Sequence, residues 1–498
     1  MKNLIKSSSL LMLGELVTKF LSVLYLIPLI RINKDIGVLN AIVTIPFGLF
    51  VIFGTLGLNI LLTSYIAKYR FEENKLTSCV FSTLIILIIT SLLSSIFLFC
   101  FAEEITVKMI SDLKYINELI IATKILSIGV LLYAITSYQR AIISAYELFD
   151  KISFSYVFEQ VVKVILIIIP TIMLIEHQRH NVGDYAIILS LAIIISMFLT
   201  FIYYTYIMYK YDIFNKIIKG KFNFDPILAR NILIGSIVIL AASLYASCYE
   251  MIDITMLENY FKSIHLNIER SNLIKGIYFT NSWKIIFIPI SIAGGIITVM
   301  MTKVSNNTKN NMQEFDLILT ISLFFGIISM LMIFLCGENV YNILYGSHSQ
   351  QIIMMQSLLI PLYIVRNIIG TYVVSNNGSN KSVIYSLIIM VILKMFLNLI
   401  FINIFEVFGL IVSSILSIII SIIILIYFNQ DLFKFNPKFK QFRVEIIIKS
   451  LILLFIFNLI NIFIKDMSLL IFILKLILGG ILILGMYYKD IIMMLKGE

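Results

Sequence analysis

Charged residues are scarce in this sequence. Only 13% of the 498 residues are Asp, Glu, Lys or Arg, whereas 60% are hydrophobic, and the mean hydropathy is +1.01. A soluble protein of this length needs more polar surface than this composition supplies, which excludes a soluble globular domain. Long apolar runs recur along the chain and indicate membrane-spanning helices. Short segments of alternating polarity are lacking, which excludes an outer-membrane barrel.

Cysteine and histidine are also rare. The four cysteines, Cys79, Cys100, Cys248 and Cys336, lie far apart without metal or redox spacing, and the four histidines form no ligand cluster. We therefore expect no metal site and no resident cofactor. The sequence also lacks a GxxxxGK phosphate loop followed by Ser or Thr, so we do not expect it to bind a nucleotide there. Any energy for transport would come from the membrane potential or from a coupling ion, Na⁺ or H⁺.

The apolar runs predict an all-α integral membrane protein with about fourteen transmembrane helices. The predicted spans are roughly 9–30, 40–63, 79–101, 119–139, 153–175, 184–208, 231–251, 275–299, 315–336, 352–374, 383–404, 406–428, 445–464 and 467–488. Two basic connectors, at 209–230 and 429–445, follow the sixth and twelfth spans. They predict a six-helix lobe at 1–226, a second at 227–430 and an appended helix pair at 431–498, with a central cavity between the lobes.

Lys and Arg are more frequent in one set of alternate connectors than in the other. The richer set includes both termini, and Arg140 is assigned to it because the fourth predicted span ends at 139. Since positive connectors remain inside, we expect both termini in the cytoplasm and the chain in the plasma membrane. This bias also explains the net charge of +10, so nucleic acid is not an expected partner. The expected state is a monomer in the lipid bilayer.

Several polar residues lie deep inside predicted spans. An ionised side chain there costs about 2.5–3.5 kcal/mol if it faces lipid, so these residues are expected to face a cavity or one another. Asp253 lies at the outer end of the seventh span. The cations outnumber the acids, and such a cavity attracts an anion. The predicted cavity residues are the cations Lys19, Lys163, Lys284, Arg366 and Lys394, the acids Glu15, Glu159 and Asp253, and the polar residues Ser22 and Asn398.

A Glu-x-x-x-Lys pattern occurs twice, as Glu15–Lys19 in the first span and Glu159–Lys163 in the fifth. Side chains four residues apart share a helix face and can meet. Two interpretations are open. Each pair could neutralise itself to ease insertion or to join two helices. Alternatively, the pairs line a water-filled cavity, where the lysine meets an anionic head group and the glutamate orders it or carries the coupling ion.

The segments around these charges resemble a known transporter superfamily. They include "YLIPLIRI", "DIG" and "GTLGL…SYIAKY" near the start, then "YQRAIISAYELFDKISFSYVFEQVVKV", "MIDITML", "NILYG" and "NNGSNKSVIYSLIIMVILKMFLNLIF". Their order and spacing over about residues 8–430 resemble the multidrug/oligosaccharidyl-lipid/polysaccharide (MOP) flippase superfamily. The resemblance is greatest to the stage V sporulation protein B and lipid II flippase (MurJ-like) branch.

This resemblance implies a MATE/MurJ-like fold of two six-helix lobes plus a C-terminal pair. It also implies transfer of an undecaprenyl-pyrophosphate-linked saccharide from the inner to the outer leaflet by alternating access. Lys19, Lys163 and Lys394 would then contact the pyrophosphate, and Arg366 would line or gate the cavity. Leu26 stands where that branch has an arginine, so the substrate is left open between the peptidoglycan precursor and another surface polysaccharide unit.

Two alternatives belong to other functional classes. A multidrug cation antiporter of the same superfamily would have a net acidic cavity and usually twelve helices. A membrane-embedded glycan polymerase or glycosyltransferase would need a large outer loop or an acidic catalytic cluster. The connector at 252–274, with Glu258, His265 and Glu269, is the candidate for such a cluster, but it is short. A transporter without enzymatic activity is therefore the leading interpretation.

Overall fold

The computed structural model describes residues 2–69, 71–176, 182–221, 224–293, 311–375, 380–433, 435–464 and 467–496. In these segments the chain is helical and forms no strand. It divides into two compact units, Met1–Gly276 (unit 1) and Ile277–Glu498 (unit 2). The lobes at 1–226 and 227–430 and the pair at 431–498 stay a prediction, because compact units need not coincide with transport lobes.

Unit 1 begins with a helix that breaks at a proline. Pro28 has no N–H to donate to the carbonyl of Leu24, and the first helix ends there. Pro46 and Pro170, in contrast, lie inside continuous helices. The helices are α1 (Lys2–Leu24), α2 (Leu26–Ile32), α3 (Ile36–Thr55), α4 (Leu58–Tyr69), α5 (Glu73–Cys100), α6 (Ala102–Met109), α7 (Ile116–Ala145), α8 (Phe149–Glu176), α9 (Asp184–Lys210), α10 (Ile213–Ile218), α11 (Pro226–Ser243), α12 (Tyr245–Ser263) and α13 (Ile268–Gly276).

Unit 2 begins with a π-helical segment, Ile277–Ser282. Its Tyr278 carbonyl accepts a hydrogen bond from Gln356 Nε2 at 3.1 Å, so a side chain stabilises the irregular turn. Pro361 has no N–H to donate to the carbonyl of Ser357, and one helix ends at Ser357 before the next begins at Leu359. The helices that follow are α14 (283–293), α15 (Asn311–Tyr345), α16 (Ile352–Ser357), α17 (Leu359–Ser375), α18 (Asn380–Phe405), α19 (Val407–Tyr427), α20 (Pro437–Phe463) and α21 (Leu469–Lys496).

Twelve helical segments of the described chain are long and apolar enough to cross a membrane. The protein is therefore an all-α, multi-pass membrane protein, as predicted, but the count of about fourteen is not confirmed. Two predicted spans account for the difference. The span at 231–251 is divided between α11 and α12, which meet at Leu244. The span at 275–299 continues beyond residue 293, outside the described residues.

The C-terminal helices α20 and α21 pack against α15 within unit 2. Arg443 of α20 forms a salt bridge of 2.9 Å with the buried Asp316 of α15. Lys475 of α21, another lysine within an apolar run, donates to Asn461 Oδ1 at 2.8 Å and to Asn339 Oδ1 at 3.2 Å. Polar contacts between these apolar helices thus join the pair to the rest of the unit.

The close approach of α18 and α19 requires a glycine in the first turn of α19. A Cβ atom added to Gly409 would overlap the carbonyl oxygen of Phe401. We expect Gly409→Ala to lower the free energy of unfolding by about 1–3 kcal/mol, because the backbone must move to relieve the overlap. Thermal unfolding in detergent would measure this against Gly480→Ala, whose added Cβ meets no atom within 4 Å. Equal melting temperatures for the two variants would contradict the prediction.

Candidate functional site

Both Glu-x-x-x-Lys patterns lie on two helices of unit 1, α1 and α8, which pack side by side. The two helices approach closely at Gly14, where an added Cβ would overlap Ser153 Oγ. The charged side chains of both patterns are partly buried. The structure therefore places the two predicted pairs on adjacent helices of one compact unit.

Arg140 of α7 is a residue of this site that the sequence analysis missed. Its guanidinium Nη2 lies 3.9 Å from Glu159 Oε2, and each of the two side chains is only 18% exposed. The guanidinium carbon lies 4.4 Å from the ring centroid of Tyr156, and Nε donates to Tyr204 Oη at 3.1 Å. Arg140 is also close enough to Glu15 to act on it electrostatically. The two acids therefore share a cationic neighbour on a third helix.

The assignment of Arg140 to a connector was wrong. The predicted span ended at 139, whereas α7 continues to Ala145. The apolar residues "AIISA" that follow Arg140 were the available signal, since they continue the helical run past the arginine. An arginine within the last turns of a membrane helix can reach the interior of the unit instead of the aqueous surface.

The carboxylate of Glu159 has a further neighbour on α9. Thr200 Oγ1 donates to Glu159 Oε2 at 3.5 Å. The hydroxyl of Tyr204, one turn further along α9, is hydrogen bonded to Ser155 Oγ of α8. Side chains of α7 and α9 thus meet Glu159 of α8. The same contacts hold the phenol of Tyr204 and the guanidinium of Arg140. Such a network keeps charged groups ordered where water is scarce.

A buried tyrosine–asparagine cluster lies beside the second lysine. Asn40 Nδ2 donates to Tyr25 Oη at 3.2 Å and to Tyr185 Oη at 3.0 Å. Lys163 is close enough to Tyr25 to interact with it electrostatically. Leu26, which follows Tyr25 in the sequence, is fully buried. In this chain the position that holds an arginine in the similar branch is therefore part of the apolar core.

Two further predicted residues of unit 1 have other surroundings. The hydroxyl of Ser22 donates to the backbone carbonyl of Lys19 at 2.6 Å, within its own helix. Asp253 is 4% exposed and lies on α12, which packs on α3 and α6. Ser22 thus lies next to the α1 pair, whereas Asp253 belongs to a different part of unit 1.

Lys394 of unit 2 is fully buried between α18 and α19. Its ammonium group donates to the carbonyl of Leu410 at 2.7 Å, to Ser413 Oγ at 3.0 Å and to Ser414 Oγ at 2.6 Å. Asn398, also buried, accepts a hydrogen bond from Ser413 Oγ. These contacts satisfy three donor positions of the ammonium group. In this state Lys394 joins two helices, and it would reach a substrate only if they parted.

We expect Lys394→Met to destabilise the protein by about 1–3 kcal/mol, because it removes the donor that bridges α18 and α19 while keeping the side-chain length. Lys381→Met, at an exposed position near the start of α18, is the matched control. Thermal unfolding of both variants measures the difference. A variant at 394 with unchanged stability but impaired transport would instead indicate the predicted contact with substrate.

The remaining predicted cations lie on two neighbouring helices of unit 2. Arg366 of α17 is 1% exposed. Lys284 of α14 is partly buried and follows Trp283, whose ring centroid lies 5.6 Å from that of Tyr363. Tyr363 and Arg366 are one helical turn apart on α17. The contact between the rings therefore joins the two helices that carry Lys284 and Arg366, whose roles stay predictions.

Three solved structures of membrane transporters are similar in fold to this chain. A structure described as the lipid II flippase MurJ in an inward closed conformation has a TM-score of 0.65 and 18% identity, covering 98% of each chain. A MATE protein in complex with MaL6 has a TM-score of 0.62 and 14% identity, covering 88% of this chain and 97% of the other. An inward-facing multidrug resistance MATE family transporter of the MOP superfamily has a TM-score of 0.59 and 13% identity, covering 83% and 95%.

The family of the chain is identified from its sequence. No curated protein sequence matches the chain. The family model described as polysaccharide biosynthesis protein matches residues 4–299, which is more than half of the chain. The matched region includes α1, α7 and α8, the three helices that carry both Glu-x-x-x-Lys pairs and Arg140. The chain belongs to the polysaccharide biosynthesis protein family and has the fold of the MOP transporter superfamily.

Proposed function

We propose that this protein is a flippase that moves an undecaprenyl-pyrophosphate-linked saccharide across the plasma membrane by alternating access. The saccharide is a peptidoglycan precursor or another surface polysaccharide unit. The observation that carries the proposal is the group of cations in unit 1, where Lys19, Lys163 and Arg140 lie on three packed membrane helices. The family membership and the likeness to a lipid II flippase support it.

The chemistry of the pyrophosphate suits these groups. A diphosphate needs several hydrogen-bond donors and positive charges to leave water, and lysine and arginine provide both. Because an uncompensated charge at membrane depth is costly, the lysines are more stable when an anion occupies the site. Glu15 and Glu159 hold the cations between transport cycles, and either acid could bind the coupling proton or Na⁺. Both termini lie in the cytoplasm, following the distribution of Lys and Arg.

A multidrug cation antiporter is the second candidate, and the likeness to two MATE structures favours it. Here the acids Glu15 and Glu159 would bind an organic cation, and the neighbouring cations would be released from them by that binding. The cationic excess around the two pairs favours an anionic substrate instead. The two candidates therefore differ in the sign of the charge that the transported molecule carries.

Reconstitution in phosphatidylcholine vesicles separates the candidates. The flippase proposal expects faster transfer of a fluorescent undecaprenyl-pyrophosphate disaccharide between leaflets in vesicles that contain the protein than in empty vesicles. Uptake of a cationic dye such as ethidium, driven by a proton or Na⁺ gradient, would be measured in parallel. Gradient-driven dye movement without transfer of the lipid would refute the flippase proposal. In cells, depletion of the protein should cause its lipid-linked substrate to accumulate in the inner leaflet, which would identify the saccharide.

A further inference from the structure

Unit 1 contains a polar cavity of about 310 Å³, outside the paired helices α1 and α8. It lies between the turn after α6, the end of α12 and helix α13. Its charged lining residues are Asp112, Glu258, Lys262 and Lys275. We call this site, defined by these four residues, the polar cavity. Its volume is near the lower end of the range for ligand sites, so it suits one small molecule or one ring of a larger molecule.

A buried ion pair forms part of the cavity wall. Lys275 Nζ of α13 lies 2.5 Å from Glu258 Oε2 of α12, and neither side chain is more than 1% exposed. Lys275 also donates to the carbonyl of Met109 at 3.3 Å, and Glu258 accepts a hydrogen bond from the hydroxyl of Ser111. Because two charges leave water only where further hydrogen bonds compensate for the lost hydration, these contacts hold the three segments in place around the cavity.

A second contact joins the turn after α6 to α13. Asn272 Nδ2, on a side chain that is 2% exposed, donates to Asp112 Oδ2 at 3.0 Å. Lys262 Nζ lies 3.9 Å from Glu258 Oε1, and the lysine is 44% exposed, which places it on the accessible side of the cavity. The charged lining residues are thus two lysines and two carboxylates. Such a lining gives no net attraction to a phosphate or to an organic cation.

The lining combines hydrogen-bonding groups with apolar side chains. Its lysines, asparagine and serines donate hydrogen bonds, and its carboxylates accept them. Phe261, Leu266 and Ile268 line the same cavity. A sugar ring has both kinds of surface, because its hydroxyls donate and accept while its C–H faces pack on apolar side chains. A small neutral molecule rich in hydroxyls therefore matches the cavity better than an ion does.

We infer that the polar cavity binds one neutral sugar ring. The connectors at 102–118 and 252–274 are predicted to face outward, so the ring belongs to a saccharide on the outer side of the membrane. The source of the ring rests on the proposed function, which makes it part of the transported lipid-linked saccharide. The polysaccharide biosynthesis family model covers every residue of the cavity, in agreement with this assignment.

The test uses the full-length protein in phosphatidylcholine nanodiscs, with glucose and N-acetylglucosamine as probes and saturation-transfer NMR as the measure of affinity. The cavity variant is Ser271→Phe, because Ser271 lines the cavity and the added ring would occupy its space. The matched control is Ser263→Phe, at an exposed position of α12. We expect the cavity variant to bind the sugars at least about tenfold more weakly than the control. Equal affinities, or a wild type that binds neither sugar, would overturn the inference.

A second variant removes a donor without adding volume. Lys262→Met keeps the side-chain length at a partly exposed position and should melt within a few degrees of the wild type. We expect it to bind the sugars about three- to tenfold more weakly, the equivalent of one hydrogen bond. Lys108→Met, at an exposed position in the last turn of α6, is its control. A folded Lys262→Met protein with wild-type affinity would contradict a sugar site in the cavity.

Competition identifies the chemistry and the source of the ligand. A lipid-linked disaccharide in the nanodisc should displace the probes, whereas inorganic phosphate and a polyprenyl diphosphate without saccharide should not. Displacement by phosphate would assign the cavity to an anion and overturn the inference. Failure of the lipid-linked disaccharide to displace a bound sugar would assign the cavity to free sugars and overturn its link to transport.

The proposed function is tested separately, by transfer of the lipid-linked saccharide in vesicles. A variant with Lys19→Ala and Lys163→Ala should keep the sugar affinity of the polar cavity, and loss of that affinity in folded protein would refute a separate site. Sugar binding by a protein that transfers no lipid-linked saccharide would refute the flippase proposal alone. Transfer by a protein that binds no sugar would refute the polar cavity as a sugar site alone.

Discussion

Replacing Lys19 and Lys163 together with alanine is expected to slow transfer of a lipid-linked saccharide by about 100-fold or more. Each lysine would supply a charged hydrogen bond to the pyrophosphate, worth about 1.5–3 kcal/mol, and 1.4 kcal/mol corresponds to a factor of ten. Both residues lie on packed helices of unit 1, and Lys19 is close enough to Glu15 to act on it electrostatically. Initial rates of transfer in reconstituted vesicles measure the effect.

A double variant with Lys75→Ala and Lys151→Ala is the matched control. Lys75 is 64% exposed and pairs with Glu72, and Lys151 lies on α8 itself and pairs with Asp150. This control variant removes the same charge from the first turns of α5 and α8 and should transfer lipid at the wild-type rate. Arginine at 19 and 163 should restore part of the transfer, because the charge is kept. If the alanine variant retained both its stability and its transfer rate, the cationic mechanism would be wrong and the pairs would be structural.

Arg140→Gln is expected to lower the free energy of unfolding by about 3 kcal/mol, because it leaves Glu159 charged at membrane depth without its partner on α7. Glu159→Gln should have an effect of similar size. The double variant should be more stable than the sum of the two losses implies, with a coupling of about 1–3 kcal/mol, since it removes both charges. Unfolding by heat or denaturant in detergent, of the wild type, the two single variants and the double variant, measures this coupling in a double-mutant cycle.

The control for this cycle is Arg230→Gln, at an exposed position of α11, which should change stability little. Additive losses in the double variant would show that Arg140 and Glu159 do not stabilise each other at 3.9 Å. Transport is a second readout. Arg140 lies near both Glu15 and Glu159. We therefore also expect Arg140→Gln to slow lipid transfer by more than the decrease in the amount of folded protein explains.

The class of the protein and several local features followed from the sequence. A long apolar run must form a helix in lipid, since no water is present to pair with the backbone. The four-residue spacing in α1 and α8 predicted which charges share a face, because helical geometry is local. Pro28 and Pro361 each follow a helix break by three residues, for an equally local reason, the missing N–H. Pro46 and Pro170 show the limit of that reasoning, since their helices continue.

The tertiary structure decided which groups the buried charges meet. Lys394 was expected to face a cavity, yet its ammonium donates to Ser413, Ser414 and a carbonyl of the next helix. Arg140 was assigned to a connector, yet it lies beside Glu159 on α8. Sequence spacing specifies neighbours within one helix. Partners on different helices depend on how the helices pack, and that packing depends on small residues and side-chain shapes far apart in the chain.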